Sequence, residues 1–207
     1  MTQVTDIQDA YFVDCGVTYD EPIAISGSTA ANPVVITATS HGLSDGDEVD
    51  ISDIVWAPTT DSYGTETQPD QLNGERYTVA NKTTHTFELN DSLGAAIDGS
   101  AFNAYAEGGY VRKAVTTISG LWHLEGETVA VLANGEIVTG EVVTRGAISL
   151  ATKASRVHIG IPYTSEIETL NIEAPSGGTM QGKLKKIAKV TVRVENSRGM
   201  LIGPTPA

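Results

Sequence analysis

The sequence predicts an all-β protein, a β-sandwich or barrel domain with a second small β-barrel inserted in one of its loops. Short apolar runs alternate with polar residues at a period of two, which is typical of strands with one buried face. Turn sequences rich in Gly, Asn and Asp separate these runs. The inserted stretch shows no 3.6-residue helical period, so the fold class is all-β.

A repeated junction predicts where the inserted barrel lies. The tripeptide Ile-Ser-Gly occurs at residues 25–27 and again at 118–120. Surface loops tolerate insertions because the entropy of loop closure grows slowly with loop length. We therefore predict an inserted barrel over residues 32–113 and a discontinuous outer β domain over residues 1–31 and 114–207.

Alternating runs predict the strands of the barrel. They cover residues 34–39, 48–54, 76–79, 84–89 and 108–111. In the second run, strict alternation predicts that Val49, Ile51 and Asp53 share one face, with Ile54 leaving that phase at the strand end.

The outer domain shows the same pattern. Its predicted strands cover residues 10–14, 16–19, 115–118, 128–133, 137–139, 147–150, 156–161, 166–172 and 188–194. Asn134 and Gly135 predict a type I′ hairpin turn between two of them. The single cysteine, Cys15, excludes an intramolecular disulfide, and we expect it to be a small core residue.

The barrel region resembles a known domain. The sequence at residues 41–49, 72–79, 86–89 and 108–111 is similar to a barrel of the first catalytic-cysteine half-domain of ubiquitin-activating enzymes. Barrels of this type also recur as inserts in bacteriophage tail proteins. The segment contains no cysteine, so thioester chemistry has no nucleophile in it.

The outer region resembles a second family. Residues 9–14, 118–129, 157–163 and 181–193 are similar to a segment of large tail proteins of short-tailed phages and prophages, of the tail-tube, nozzle or stabilisation type. Because those proteins are much longer, we expect this chain to be a segment of one. The resemblance implies a non-enzymatic structural component that packs against other tail proteins in a homo-oligomeric ring. It also implies a location in the virion, after a stage in the bacterial cytoplasm.

The charge is unevenly distributed. The net charge is −13, of which residues 1–113 carry −14 and the remainder +1. An acidic half argues against nucleic-acid binding, which requires Lys and Arg. A solvated acidic face would explain it, and so would a basic partner surface. We predict that Lys183, Lys185, Lys186 and Lys189 contact the acidic surface of a neighbouring subunit. Neither a membrane-spanning run nor a signal peptide is predicted.

An alternative function is a carbohydrate- or receptor-binding module. The long polar loop at residues 56–71 contains Trp56 and Tyr63, which we expect to face a host-surface glycan.

No catalytic, cofactor or metal site is predicted. The acidic residues at 45–53 lack the order of a calcium loop, which favours a solvated turn over Ca²⁺ binding. The four histidines lack ligand spacing, and we expect His41 to bond to the backbone. Residues 177–184 resemble a phosphate-binding loop, but Leu184 replaces the required hydroxyl residue. Glu125 and Glu127 do not suggest the facing carboxylates of a glycosidase.

Overall fold

The computed structural model describes residues 13–60, 66–67, 70–163 and 189–193. Their strands are β1 (Val13–Asp20), β2 (Pro22–Ala24), β3 (Gly27–Ser28), β4 (Val35–Thr37), β5 (Glu48–Trp56), β6 (Thr59–Thr60), β7 (Glu66–Thr67), β8 (Arg76–Ala80), β9 (Thr86–Asn90), β10 (Tyr105–Lys113), β11 (Val115–Ser119), β12 (Thr128–Ala133), β13 (Glu136–Val142), β14 (Ala147–Ala154) and β15 (Arg156–Pro162). A short 3₁₀ turn, Trp122–Leu124, lies between β11 and β12.

Seven of these strands form one antiparallel sheet, which we call the barrel. Their order is β2-β10-β5-β8-β9-β4-β3. The two edge strands, β2 and β3, are consecutive in the chain, so the short segment that carries them pairs with β10 at one edge and with β4 at the other. The barrel therefore begins before residue 32, and Ile25 of the first Ile-Ser-Gly stub is buried in its core.

The barrel core follows the predicted alternation on most strands. Val34, Ile36 and Ala38, which alternate along the predicted run at residues 34–39, are fully buried. Val49 and Ile51 join them from β5, and Phe87 and Leu89 from β9 also lie in the core. Burial of such β-branched and aromatic side chains supplies the main favourable term in folding.

Six of the remaining strands form a second unit, which we call the sandwich, and β6 and β7 form a separate two-stranded sheet. A four-stranded sheet, β1-β15-β12-β13, and a two-stranded sheet, β11-β14, enclose a separate core. Val131, Val157 and Leu121 are fully buried in that core. Because β1 precedes the barrel in the chain and β11 follows it, the barrel is inserted in a loop of the sandwich, as predicted.

The hairpin between β12 and β13 confirms the turn prediction. Asn134 and Gly135 both have positive φ, 46° and 84°, and Ala133 pairs with Glu136. Positive φ at both central residues defines the type I′ turn, which suits the twist of the flanking strands.

Two details of strand β1 differ from the prediction. The runs at residues 10–14 and 16–19 were predicted to be separate strands, but β1 is continuous from Val13 to Asp20 with a bulge between Asp14 and Val17. Cys15 lies in this bulge with φ 51° and is exposed, so it is not a core residue. A bulge interrupts the alternation of inward and outward side chains that would have turned Cys15 into the core.

Strand β5 also departs from strict alternation. It continues past Ile54 to Trp56, and Asp53 adopts φ 62° at its centre. The inward positions change there from Val49 and Ile51 to Ile54 and Trp56, which leaves Asp53 exposed. The predicted shared face of Val49, Ile51 and Asp53 was therefore wrong at Asp53.

The last predicted strands lie mostly beyond the described residues. The run at 166–172 is outside them entirely. Of the run at 188–194, residues 189–193 are described and are not in a strand, and Val190 and Val192 are exposed.

Candidate functional site

The predicted ligand-facing loop is not supported at Trp56. This side chain is fully buried in the barrel core, where its ring meets Phe102 edge-on with 5.6 Å between ring centroids. The phase change at Asp53 turns Trp56 inward, so it cannot face a glycan. Tyr63 lies outside the described residues.

Of the four lysines in the predicted subunit contact, the structure describes only one. Lys189 is exposed, and Lys183, Lys185 and Lys186 lie outside the described residues. Their contact with a neighbouring subunit stays a prediction.

The most elaborate polar site of the described residues lies where the barrel meets the sandwich, and we call it the junction. Its centre is Asp50 on β5, which accepts hydrogen bonds from Arg76 Nε and Nη2 at 2.6 and 2.8 Å. Ser155 Oγ donates to the same carboxylate at 2.6 Å and Asn134 Nδ2 at 3.1 Å. Asp50 and Arg76 belong to the barrel, whereas Asn134 and Ser155 belong to the sandwich, so one carboxylate joins the two units.

Asn134 organises the sandwich side of the junction. Its side-chain oxygen accepts hydrogen bonds from the backbone N–H groups of Ser155 and Arg156, at 3.2 and 2.9 Å. Its own backbone N–H donates to the Arg156 carbonyl. The type I′ hairpin thereby presents its amide nitrogen to Asp50 in a fixed position.

A second pair of contacts extends the junction along β14. Lys153 Nζ donates to Glu48 at 2.7 Å, and Arg76 Nη1 donates to the Lys153 carbonyl at 2.9 Å. Arg76 thus binds a carboxylate of the barrel and a carbonyl of the sandwich at once. A planar guanidinium with several donors suits this double role, which lysine could not fill.

A third group ties β1 to β10. Arg112 is almost fully buried, and its Nε donates to Asp20 at 2.7 Å while its Nη1 donates to Ser52 at 2.8 Å. Arg156 lies 3.5 Å from the other oxygen of Asp20. These contacts connect the strand that enters the barrel to the strand that leaves it.

The electrostatics of the junction follow from its donors. Burial by itself raises the pKa of Asp50, but the hydrogen bonds from Arg76, Ser155 and Asn134 and the charge of Arg76 outweigh it, and the pKa lies below its ordinary value. Burial also raises the pKa of Asp47, but the contacts with Lys113 and the hydrogen bond from the Ser44 N–H lower it by more. The pKa of Asp47 therefore also lies below its ordinary value. Both carboxylates are therefore held in the ionised form.

Three of the five acidic residues in the predicted solvated turn form ion pairs, whereas Asp45 and Asp53 are exposed. Asp47, Glu48 and Asp50 pair with Lys113, Lys153 and Arg76 at 2.8, 2.7 and 2.6 Å. An open cleft of about 320 Å³ lies beside these pairs. Its charged side chains already neutralise one another. No group of three or more His, Cys, Asp or Glu residues that could hold a metal occurs in the described ranges.

The four histidines form hydrogen bonds with backbone groups or with other side chains. His41 is buried, and its Nδ1 accepts the Leu43 N–H at 3.1 Å, which confirms the expected backbone bond. His85 Nδ1 likewise accepts the Ser40 N–H. His158 Nδ1 lies 2.8 Å from Thr18 Oγ1, and His123 Nε2 lies 3.1 Å from the Cys15 carbonyl oxygen.

Glu125 is a backbone anchor. Its two oxygens accept the backbone N–H groups of Arg145 and Gly146, at 2.9 and 2.6 Å. The ring of Trp122 lies against Gly146, and 69% of residue Trp122 is exposed. Sequence reasoning had weighed Glu125 only as a catalytic acid and did not identify Trp122 as an exposed aromatic.

Sequence reasoning also missed the partners of the acidic cluster. Asp50 is separated from Asn134 and Ser155 by 84 and 105 positions in the chain. The one available signal was the hairpin sequence Asn134-Gly135, which fixed a turn but not what that turn would touch.

Comparisons with known proteins give no family for this chain. No family model matches the sequence, and no curated protein shows significant similarity to it. Among the described residues, no helix has the length and apolar character needed to cross a membrane.

Proposed function

We propose that this chain is a non-enzymatic structural component of a bacteriophage tail, acting through packing between subunits. The observation that carries the proposal is the junction, in which Asp50, Arg76 and Asn134 fix the orientation of the barrel on the sandwich. A component that transmits position between subunits needs a rigid connection between its parts, and charge-assisted hydrogen bonds of good geometry provide one.

The sequence resemblances supply the phage assignment. The outer region is similar to tail-tube, nozzle or stabilisation proteins, and the barrel is similar to inserts of phage tail proteins. In this proposal the partners are other tail proteins and further copies of the chain in a ring, and the location is the virion.

The structural role also agrees with how the charged groups are used. Glu48 and Asp50 of β5 form ion pairs at the junction, and Glu125 accepts hydrogen bonds from two backbone donors. Side chains already saturated by internal partners hold loops and strands in place, whereas catalysis requires a group that reaches a substrate.

Mass spectrometry of virions purified from the phage or prophage that encodes the chain tests the proposal. We expect peptides from both the barrel and the sandwich in the particles. Their absence from intact virions would overturn a structural role in the tail.

A matched pair of variants tests the role of the junction within the particle. Asp50→Asn removes the charge of the central carboxylate, and Asp53→Asn removes the charge of an exposed carboxylate on the same strand, where asparagine tolerates the positive φ. We expect Asp50→Asn particles to lose the chain or to assemble poorly, while Asp53→Asn particles assemble normally. If both variants assemble equally well, the junction is not required for assembly of the particle.

A further inference from the structure

The indole ring of Trp122 rests with one face on the backbone of Gly146. A Cβ placed on Gly146 would lie 2.5, 2.7 and 2.9 Å from Trp122 Cδ2, Cε2 and Cε3. Cδ2 is a ring-fusion carbon bonded to three other ring atoms, so another atom can approach it only from a face of the ring. The absence of a side chain at Gly146 therefore allows the ring to lie flat. Because 69% of residue Trp122 is exposed, the opposite face is open to solvent.

Several hydrogen bonds fix the backbone segment on which the Trp122 ring lies. Glu125 binds the backbone N–H groups of Arg145 and Gly146, and the Gly146 carbonyl accepts the Leu121 N–H at 2.8 Å. Leu121 and Leu124, which flank the ring in sequence, are buried in the sandwich core. The ring is therefore displayed on a pre-organised surface, and pre-organisation lowers the entropic cost of binding.

The exposed residues next to this ring and to Gly146 in sequence are polar. His123 and Glu125 follow it, and Thr144 and Arg145 precede Gly146, and all four are exposed. A protein–protein hot spot lies inside a larger apolar patch that excludes water. One aromatic plane with a polar rim instead suits a ligand that has one face of C–H groups and hydroxyl groups at its edge.

We propose that Trp122 is a stacking platform for a neutral pyranose unit of a glycan. The negative face of the indole attracts the partly positive axial C–H groups of the sugar. The polar residues around it offer partners for the hydroxyl groups. Because Arg145 and Glu125, which lie beside Gly146, bring charges of opposite sign, a neutral sugar fits the rim better than a charged one. This site is distinct from the loop at Trp56, and the inference does not depend on the structural role proposed above.

Saturation-transfer NMR on the full chain with a panel of neutral methyl pyranosides tests the proposal. We expect transfer to the C–H protons of one face of at least one sugar. The indole N–H signal of Trp122 should shift saturably with that sugar, while the signal of buried Trp56 should not move. No transfer to any sugar on the panel, and no binding on an array of neutral glycans, would overturn the proposal.

Two glycine variants sharpen the test. Gly146→Ala places a methyl group against the ring, whereas Gly140→Ala introduces alanine at a similarly positive φ with nothing within 4 Å of the new Cβ. We expect Gly146→Ala to weaken sugar binding at least about tenfold, equivalent to about 1.4 kcal/mol, and Gly140→Ala to leave it unchanged.

Direct removal of the ring completes the design. Trp122→Ala should abolish saturation transfer from the protein to the sugar. Leu93→Ala, which removes another highly exposed apolar side chain, should leave it unchanged. Circular dichroism of each variant verifies the fold. Full sugar binding by a folded Trp122→Ala variant would overturn the proposal. So would concentration-dependent broadening of the Trp122 signal without sugar, which would assign the ring to a contact between copies of the chain.

Discussion

At the scale of single residues, Asp50 is the carboxylate that receives donors from both the barrel and the sandwich. It accepts four hydrogen bonds, two of them from the guanidinium of Arg76 and two from the sandwich. Its carboxylate is only partly exposed, so these bonds are less screened than those of a surface pair. The energetic consequence can be measured directly.

We predict that Asp50→Asn lowers the free energy of unfolding by about 2 kcal/mol, because hydrogen bonds to a charged group contribute about 1.5–3 kcal/mol. Chemical denaturation measures this difference. Asp53→Asn is the matched control, since Asp53 is exposed on the same strand and asparagine tolerates its positive φ. We expect the control to change stability by less than about 0.5 kcal/mol. Equal effects of the two substitutions would contradict the central role of Asp50.

The pH dependence of stability follows from the same carboxylate. Its pKa is lower in the folded chain than the ordinary value of about 4 in the unfolded chain, so the folded state favours the ionised form. The contribution of Asp50 is therefore complete above about pH 5 and is lost as the pH falls below about 4 through the folded pKa.

We predict that the stability difference between the wild type and Asp50→Asn is largest near neutral pH and shrinks on acidification. Denaturation curves at a series of pH values measure it. Asp47, whose pKa is also lowered, remains in both proteins, so its contribution cancels in the difference. A difference that stays constant down to acid pH would contradict the ionised state of Asp50.

At the scale of elements, strands β5 and β10 show how a local backbone choice determines what a sheet buries. Asp53 has φ 62°, and Gly109, which lies opposite it in the register of the two strands, has φ 97°. A Cβ on Gly109 would come within 2.6 Å of Ile54 Cγ1. Glycine is needed here both for the positive φ and for the space.

We predict that Gly109→Ala destabilises the chain by about 3 kcal/mol, because it combines backbone strain with overpacking against the core. Gly94→Ala is the control, since Gly94 also has positive φ but open space around it. We expect this control to cost only about 1 kcal/mol, from strain alone. Thermal denaturation compares the two. A Gly109→Ala variant as stable as Gly94→Ala would refute the steric part of the explanation.

At the scale of the whole molecule, charge and assembly are linked by the proposed function. Residues 1–113 carry −14 of the net charge, and the predicted contact residues of a neighbour are lysines. Ionic contacts between exposed groups are screened over about 8 Å at physiological ionic strength. Any contact between the acidic half and the lysines should therefore depend on salt.

We predict that the oligomer of the chain dissociates as salt concentration rises. Light scattering over a series of protein and salt concentrations measures the solution mass. Lys189→Glu should weaken assembly further, whereas Lys82→Glu, which changes an exposed lysine of the barrel, should not. Assembly that is indifferent to salt would refute the ionic contact. A monomer under all conditions would place the subunit contacts outside this chain.

The sequence by itself determined the all-β class, the hairpin at Asn134-Gly135 and the alternation of residues 34–39, because period-two alternation and turn chemistry are local properties. Only the tertiary structure decided that Asp50 is an internal anchor, because its partners lie far away in sequence. It also placed the two tryptophans. The positive φ of Asp53 turns Trp56 into the core, and the missing side chain of Gly146 lets Trp122 lie flat at the surface. Both outcomes depend on backbone geometry and neighbours that composition and periodicity do not encode.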